Sequence, residues 1–205
     1  MLIWQSTLAV LIGYLLGSFP AAYIIGRFRK GIDIRTVGSR NMGTLNTFRE
    51  VGLLEAVAVL ILDVGKGIAA IFIARTLGVN QIVVLASGAA AMAGHVFPVF
   101  LSFHGGKGGA TAMGILLILM PWATPFYLLF TLIGYFLMRN TFFAYGIAFF
   151  VFPVVAWLVY HSLPFITFSL LIILGLTIQN LNIIQSLRHK GFRHTILRSN
   201  SKNAR

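Results

Sequence analysis

The residues with the clearest chemical potential lie in two polar islands of an otherwise apolar chain. The first is Gly38-Ser39-Arg40-Asn41-Met42-Gly43-Thr44-Leu45-Asn46-Thr47-Phe48-Arg49. Ser39, Asn41, Thr44, Asn46 and Thr47 offer neutral hydrogen-bonding groups, and Arg49 offers a planar fork that matches phosphate oxygens. Gly38 and Gly43 let the backbone fold tightly among them. The second island is His104-Gly105-Gly106-Lys107-Gly108-Gly109-Ala110-Thr111. It opens an apolar helix, whose N-terminus presents N–H groups and a positive dipole end to an anion. Its glycines permit close backbone approach, and Lys107 adds a point charge. The pattern suits phosphate, although a solvated basic loop and a tight turn with a topology-setting lysine are the plainer alternatives. It is not a Walker A loop, because Leu101 stands where that motif needs glycine and Gly108 where it needs Ser or Thr.

Other polar residues are embedded in apolar runs. Asp63 and Lys66 are three apart and share a helix face, as expected of an ion pair supporting a bundle. Lys66 could instead reach the anion site. His95 reads first as a hydrogen-bonded interior histidine. Near the end of the last run, Gln179, Asn182 and Gln185 form an amide stripe, which either glues helices together or orients hydroxyl groups. No spacing of His, carboxylate or Cys suggests a metal site, and there is no cysteine.

The elements that must position these residues are membrane helices. The chain has 205 residues, of which 58% are hydrophobic and only 10% charged. Soluble domains carry about 25% charged residues, and the mean hydropathy here is +0.90. Apolar runs occupy residues 2–26, 53–75, 81–103, 112–138, 141–161 and 163–185. The run 112–138 is broken by Pro121 and Pro125. The segment 27–52 is rich in Arg and Lys and belongs in the cytoplasm by the positive-inside rule, as does the tail 186–205. That parity requires the 112–138 run to cross twice. The expected fold is therefore an all-α integral membrane bundle of about seven helices, some short or broken, with N-terminus outside and C-terminus inside. Residues 1–185 form a single polytopic domain with cytoplasmic loops at about 27–52 and 104–111. The formal charge of +12 is then topology signal, and no stacking-aromatic basic motif points to nucleic acid.

The ordered set of motifs resembles the bacterial membrane glycerol-3-phosphate acyltransferases that use acyl phosphate, the PlsY family. It comprises Gly17-Ser18-Phe19-Pro20 with Ala22-Tyr23 and Gly26-Arg27, then Gly31-Ile32-Asp33-Ile34-Arg35. Gly38-Ser39, Asn41, Gly43, Asn46, Arg49 and Gly52 follow, then Asp63, Lys66-Gly67, Gly94-His95-Val96-Phe97-Pro98 and Gly105-Gly106-Lys107-Gly108 with Ala110-Thr111. The resemblance implies acyl transfer from acyl phosphate to the 1-hydroxyl of sn-glycerol 3-phosphate, giving lysophosphatidic acid and phosphate. It implies a multi-pass enzyme of the bacterial cell membrane whose site faces the cytoplasm, with no cofactor. A monomer is expected, in contact with membrane lipid and supplied by the enzyme that makes acyl phosphate.

On this resemblance Ser39, Arg49 and Lys107 are expected to be catalytic. Gly38, Asn41, Gly43, Asn46, Gly105, Gly106, Gly108, Thr111 and Asn182 are expected to bind substrate. Asp63, Lys66, His95 and Gln179 are expected to support them. The chain departs from the family pattern at Arg40, Thr44 and Leu45 in the first motif and at Gly109 after the second. In the third, Gln179 and Gln185 stand where His and Arg are usual. Two alternatives stand beside this reading: a low-activity paralogue, which the departures at Gln179 and Gln185 suggest, and a membrane transporter or binder of a phosphorylated small molecule.

Overall fold

The computed structural model describes residues 3–138 and 141–179, and it is all-helical over them. The chain groups into two compact units, Met1–Leu119 and Met120–Arg205. Among the described residues, three helical stretches are long and apolar enough to cross a membrane: Ile3–Lys30, Leu53–Thr76 and Gln81–Leu101.

In the first unit, α1 (Ile3–Ser18) packs along α5 (Gln81–Val96), and α4 (Leu53–Thr76) packs against both. α6 (Gly109–Leu119) lies on α4. Small residues make these contacts possible. Gly17 faces the backbone of Ala91, and Gly94 faces that of Tyr14 and Ser18. On the other side, Gly67 meets the Thr111 carbonyl and Gly114 meets Val64. Each approach is too close for a Cβ, so the helices pack backbone to backbone, as small residues allow in lipid. The Ser87 hydroxyl sits among three helices, with Ala9 O at 3.0 Å and Ala70 O at 3.3 Å both within reach of its one proton.

Two boundaries differ from the sequence expectation. The first apolar run is not one helix to Gly26. It breaks at Phe19-Pro20 and resumes as α2 (Ala21–Lys30), because proline supplies no N–H and its ring clashes with the preceding turn. The third run ends as α-helix at Val96 rather than near residue 103. Phe97 precedes Pro98 and takes a non-helical conformation, and a 3-10 turn at Val99–Leu101 follows. Within the first polar island, residues read as loop form a short helix, α3 (Thr44–Glu50).

In the second unit, α7 (Thr124–Met138) packs on α8 (Thr141–Tyr160), which packs on α9 (Leu163–Gln179). As expected, the run 112–138 is interrupted: Pro121 lies in the break between α6 and α7, and Pro125 in the first turn of α7. Tyr127 meets Phe152 edge-on at 6.5 Å, and the Tyr160 hydroxyl accepts from Trp122 N at 3.2 Å. Large side chains such as Leu132, Phe136, Phe150 and Leu158 face outward, as lipid contact requires.

Candidate active site

The first polar island is folded around one buried amide. Asn46 is 1% exposed. Its Oδ1 accepts from Ser39 N at 2.9 Å, and its Nδ2 donates to Ile34 O at 3.0 Å and Val37 O at 3.2 Å. The amide is thus engaged in shaping the loop. Gly38 lies against Asn46 Oδ1 and the Glu50 carboxylate with φ of +55°. A side chain there would be both strained and in collision. Beneath the loop, Ile34, Met42 and Val51 join Ala22 and Val59 in a small apolar core. The loop is therefore held from inside as well as by its hydrogen bonds.

Ion pairs fix the rim. Arg35 grips both Asp33 oxygens, at 3.0 and 2.8 Å, and donates to Leu101 O at 3.3 Å. The Arg35 hydrogen bond holds the Asp33 carboxyl below the usual carboxylate range, and the same contact raises Arg35. Arg29 pairs with Glu55 at 2.7 Å, and Lys30 donates to Glu50 O at 2.8 Å. Ser39 remains exposed, and its hydroxyl has no protein partner among the described residues. Arg49 stands exposed in the last turn of α3. Asn41 and Gly43 are half-buried, and Gly43 N donates to Asn41 O at 3.0 Å.

The second island is pinned to the end of α5. Gly105 N donates to Val96 O at 3.1 Å and Gly106 N to His95 O at 3.0 Å. These two amides, expected to face an anion, are engaged in fixing the loop. Lys107 follows them directly, and α6 starts two residues later at Gly109. Lys107 is half-buried, and desolvation by the surrounding protein pushes its pKa down to about 8. Gly108 has a φ of +85° beside Met92. Thr111 is fully buried, with its carbonyl against Gly67.

The two islands meet at Gly106. A Cβ on this residue would collide with both the Met42 carbonyl and His95 Nε2. Met42 belongs to the first island and His95 to α5, so the contact locks loop to loop and loop to helix. His95 is held on its other side, where Nδ1 lies 3.5 Å from Asp63 Oδ1. The same Asp63 oxygen is 2.8 Å from Lys66 Nζ, and Lys66 donates to Phe19 O at 3.2 Å. Asp63 and Lys66 thus form the expected i, i+3 pair, which Lys66 ties to the Phe19 carbonyl at the α1–α2 break. Asp63, Lys66 and His95 are the supports their sequence positions suggest, whereas the Gly106 contact joins positions far apart in the chain and leaves only a surplus of glycine as its sign.

Gln179 is the last residue of α9, and its side chain lies outside the described set, as do Asn182 and Gln185. No group of three or more metal-ligating side chains occurs among the described residues.

A family model described as glycerol-3-phosphate acyltransferase matches residues 7–190. Among curated proteins, glycerol-3-phosphate acyltransferase 2 of Dehalococcoides mccartyi (strain ATCC BAA-2266 / KCTC 15142 / 195) is 43% identical over 183 residues, covering 89% of this chain and 87% of that protein. A glycerol-3-phosphate acyltransferase of Synechococcus sp. (strain CC9902) is 47% identical over 113 residues, 55% of this chain and 56% of its own. Among solved structures, the integral membrane glycerol 3-phosphate acyltransferase PlsY is similar in two forms. Its glycerol 3-phosphate form gives a TM-score of 0.81 at 29% identity, covering 91% of this chain and 93% of that one. Its lysophosphatidic acid form gives 0.80 at 27% identity, covering 94% and 98%. With matched motifs, matched fold and a family model spanning most of its length, the chain belongs to the glycerol-3-phosphate acyltransferase family of integral membrane enzymes.

Proposed function

We propose that the protein transfers a fatty acyl group from acyl phosphate to the 1-hydroxyl of sn-glycerol 3-phosphate, releasing lysophosphatidic acid and inorganic phosphate. The observation that carries this reading is the junction at Gly106. It sets the loop that carries Lys107 against the loop that leads to Ser39, Asn41 and Arg49, and this supports assigning both cations to phosphate. The relatives' printed names and the ligand forms of the similar PlsY structures support the acceptor and product.

Acyl phosphate is a mixed anhydride with a good leaving group, so direct attack by the glycerol hydroxyl needs no covalent acyl-enzyme. The work left to the protein is to hold two phosphates, aim the hydroxyl and stabilise the developing oxyanion. Lys107 and Arg49 bind the phosphates. The Ser39 hydroxyl, the Asn41 side chain and the first turn of α6 orient the glycerol and the acyl carbonyl. Asn46, Gly38 and Gly106 act by shaping the loops. Asp33 is a poor base, because Arg35 occupies both its oxygens and favours the ionised, weakly basic form. A phosphate oxygen of the substrate takes the hydroxyl proton instead. An unchanged acidic limb of the rate profile in Asp33→Asn supports this assignment, and loss of that limb sinks it.

The site faces the cytoplasm in this reading, with the N-terminus outside, the tail inside and the protein working as a monomer. The test is direct. Purified protein receives palmitoyl phosphate and labelled glycerol 3-phosphate, with neither coenzyme A nor acyl carrier protein present. Lysophosphatidic acid must form, and Lys107→Ala or Arg49→Ala must abolish it.

A further inference from the structure

We infer that Arg40 is a specificity-determining residue whose guanidinium holds the terminal phosphate group of one of the two reactants at the rim of the site. This rests on the acyltransferase reading above and adds to it a contact that the family-shared residues do not supply.

Three observations converge on Arg40. The first is its backbone. Its φ is +59°, in the left-handed region, and its N–H closes a turn by donating to Val37 O at 2.9 Å. The same turn uses glycine at Gly38, where φ is +55°. Glycine or asparagine would hold position 40 at lower cost. The second is its side chain. Arg27, Arg29 and Arg35 are tied to carboxylates, and Lys30 to a carbonyl. The Arg40 guanidinium is exposed and has no protein partner among the described residues, although the Glu50 carboxylate lies over nearby Gly38. A strained residue that gives the fold no side-chain contact is not there to hold the fold together. The third is its place. Arg40 is flanked by Ser39, whose hydroxyl also has no protein partner, and stands two residues before Met42, whose carbonyl abuts Gly106 next to Lys107. A topology-setting charge would work from any position in the 27–52 segment. It would not require this one. An exposed planar fork beside Ser39 suits a phosphate that spans from Lys107 or Arg49.

Three variants separate charge from strain. Arg40→Gly removes both, Arg40→Asn removes the charge at a residue that tolerates the turn, and Arg40→Lys keeps the charge. KM is measured for glycerol 3-phosphate and for palmitoyl phosphate separately, over a range of salt concentrations, together with Tm. Arg40→Gly and Arg40→Asn should raise one KM roughly tenfold, the loss expected of one charge-assisted contact. They should also flatten the salt dependence of that KM while raising Tm. Arg40→Lys should stay within about threefold of wild type, since an ammonium retains the point charge. A rise confined to glycerol 3-phosphate assigns the acceptor phosphate, and one confined to palmitoyl phosphate assigns the donor. If both KM values are unchanged in Arg40→Gly and Arg40→Asn, the inference is overturned. It is overturned equally if the only change tracks the anionic lipid content of the assay vesicles. A wild-type protein that makes no lysophosphatidic acid refutes the acyltransferase reading itself, which is a separate result.

Discussion

Gly106→Ala is a one-carbon change that tests whether the two islands function as a unit. The added methyl would meet the Met42 carbonyl and His95 Nε2 at less than contact distance. Neither obstacle is the loose end of a side chain. Met42 is 2% exposed and packed in the loop's core, and His95 is 3% exposed and backed by Asp63. The glycine-lysine loop must therefore move on the order of 1 Å, a displacement that costs about 100-fold in rate when it misplaces catalytic groups. Overpacking of this kind costs about 1–3 kcal/mol in stability. The assay is turnover of purified Gly106→Ala protein alongside thermal unfolding. Gly65→Ala is the control, because a Cβ there meets nothing within 4 Å and alanine favours the helix by up to about 1 kcal/mol. Turnover by Gly106→Ala within about threefold of wild type, at unchanged Tm, would mean that the two loops do not act as a unit, since 1 Å of loop displacement could not pass so lightly.

Further perturbations follow from the same geometry. Lys66→Met should destabilise the first unit by about 3–5 kcal/mol, because it strands the buried Asp63 carboxylate, and Asp63→Asn together with Lys66→Met should recover much of that loss. Thermal unfolding of the two single variants and the double variant measures this. Asn46→Ala should cost about 2 kcal/mol or more by abandoning Ser39 N, Ile34 O and Val37 O. Hydrogen exchange should show the loss first across residues 34–46. For Lys107 the sign follows from its pKa of about 8. The ammonium that binds phosphate is present below that pH and is lost as pH rises through it. KM for glycerol 3-phosphate should accordingly climb above about pH 8, by up to tenfold per unit, and Lys107→Arg should remove that limb if any activity survives.

Much of the scaffold was legible because lipid imposes it. Long apolar runs leave no option but helix, and Pro121 and Pro125 announce the break that separates α6 from α7. The Asp63–Lys66 pair was legible from its i, i+3 spacing. Pro20 was less so, because the residues around it are as apolar as a helix interior, and only its lost N–H divides the run. Asn46 could not be distinguished from a ligand-facing amide, since spacing says nothing about which way a side chain points. The Gly106 junction was invisible for a different reason. It depends on a tertiary approach between Met42 and the end of α5 that leaves only an extra glycine in the sequence. That excess was the available signal, since a plain turn needs fewer glycines than surround Lys107.

The central claim is that the Gly106–Lys107 loop and the Ser39–Arg49 loop form one site that acylates glycerol 3-phosphate from acyl phosphate. It is tested most directly by following labelled lysophosphatidic acid with palmitoyl phosphate as the only acyl donor. Wild-type protein should give product, and Lys107→Ala and Arg49→Ala none. Product that forms only with acyl coenzyme A or acyl carrier protein, or that survives both substitutions, would contradict it.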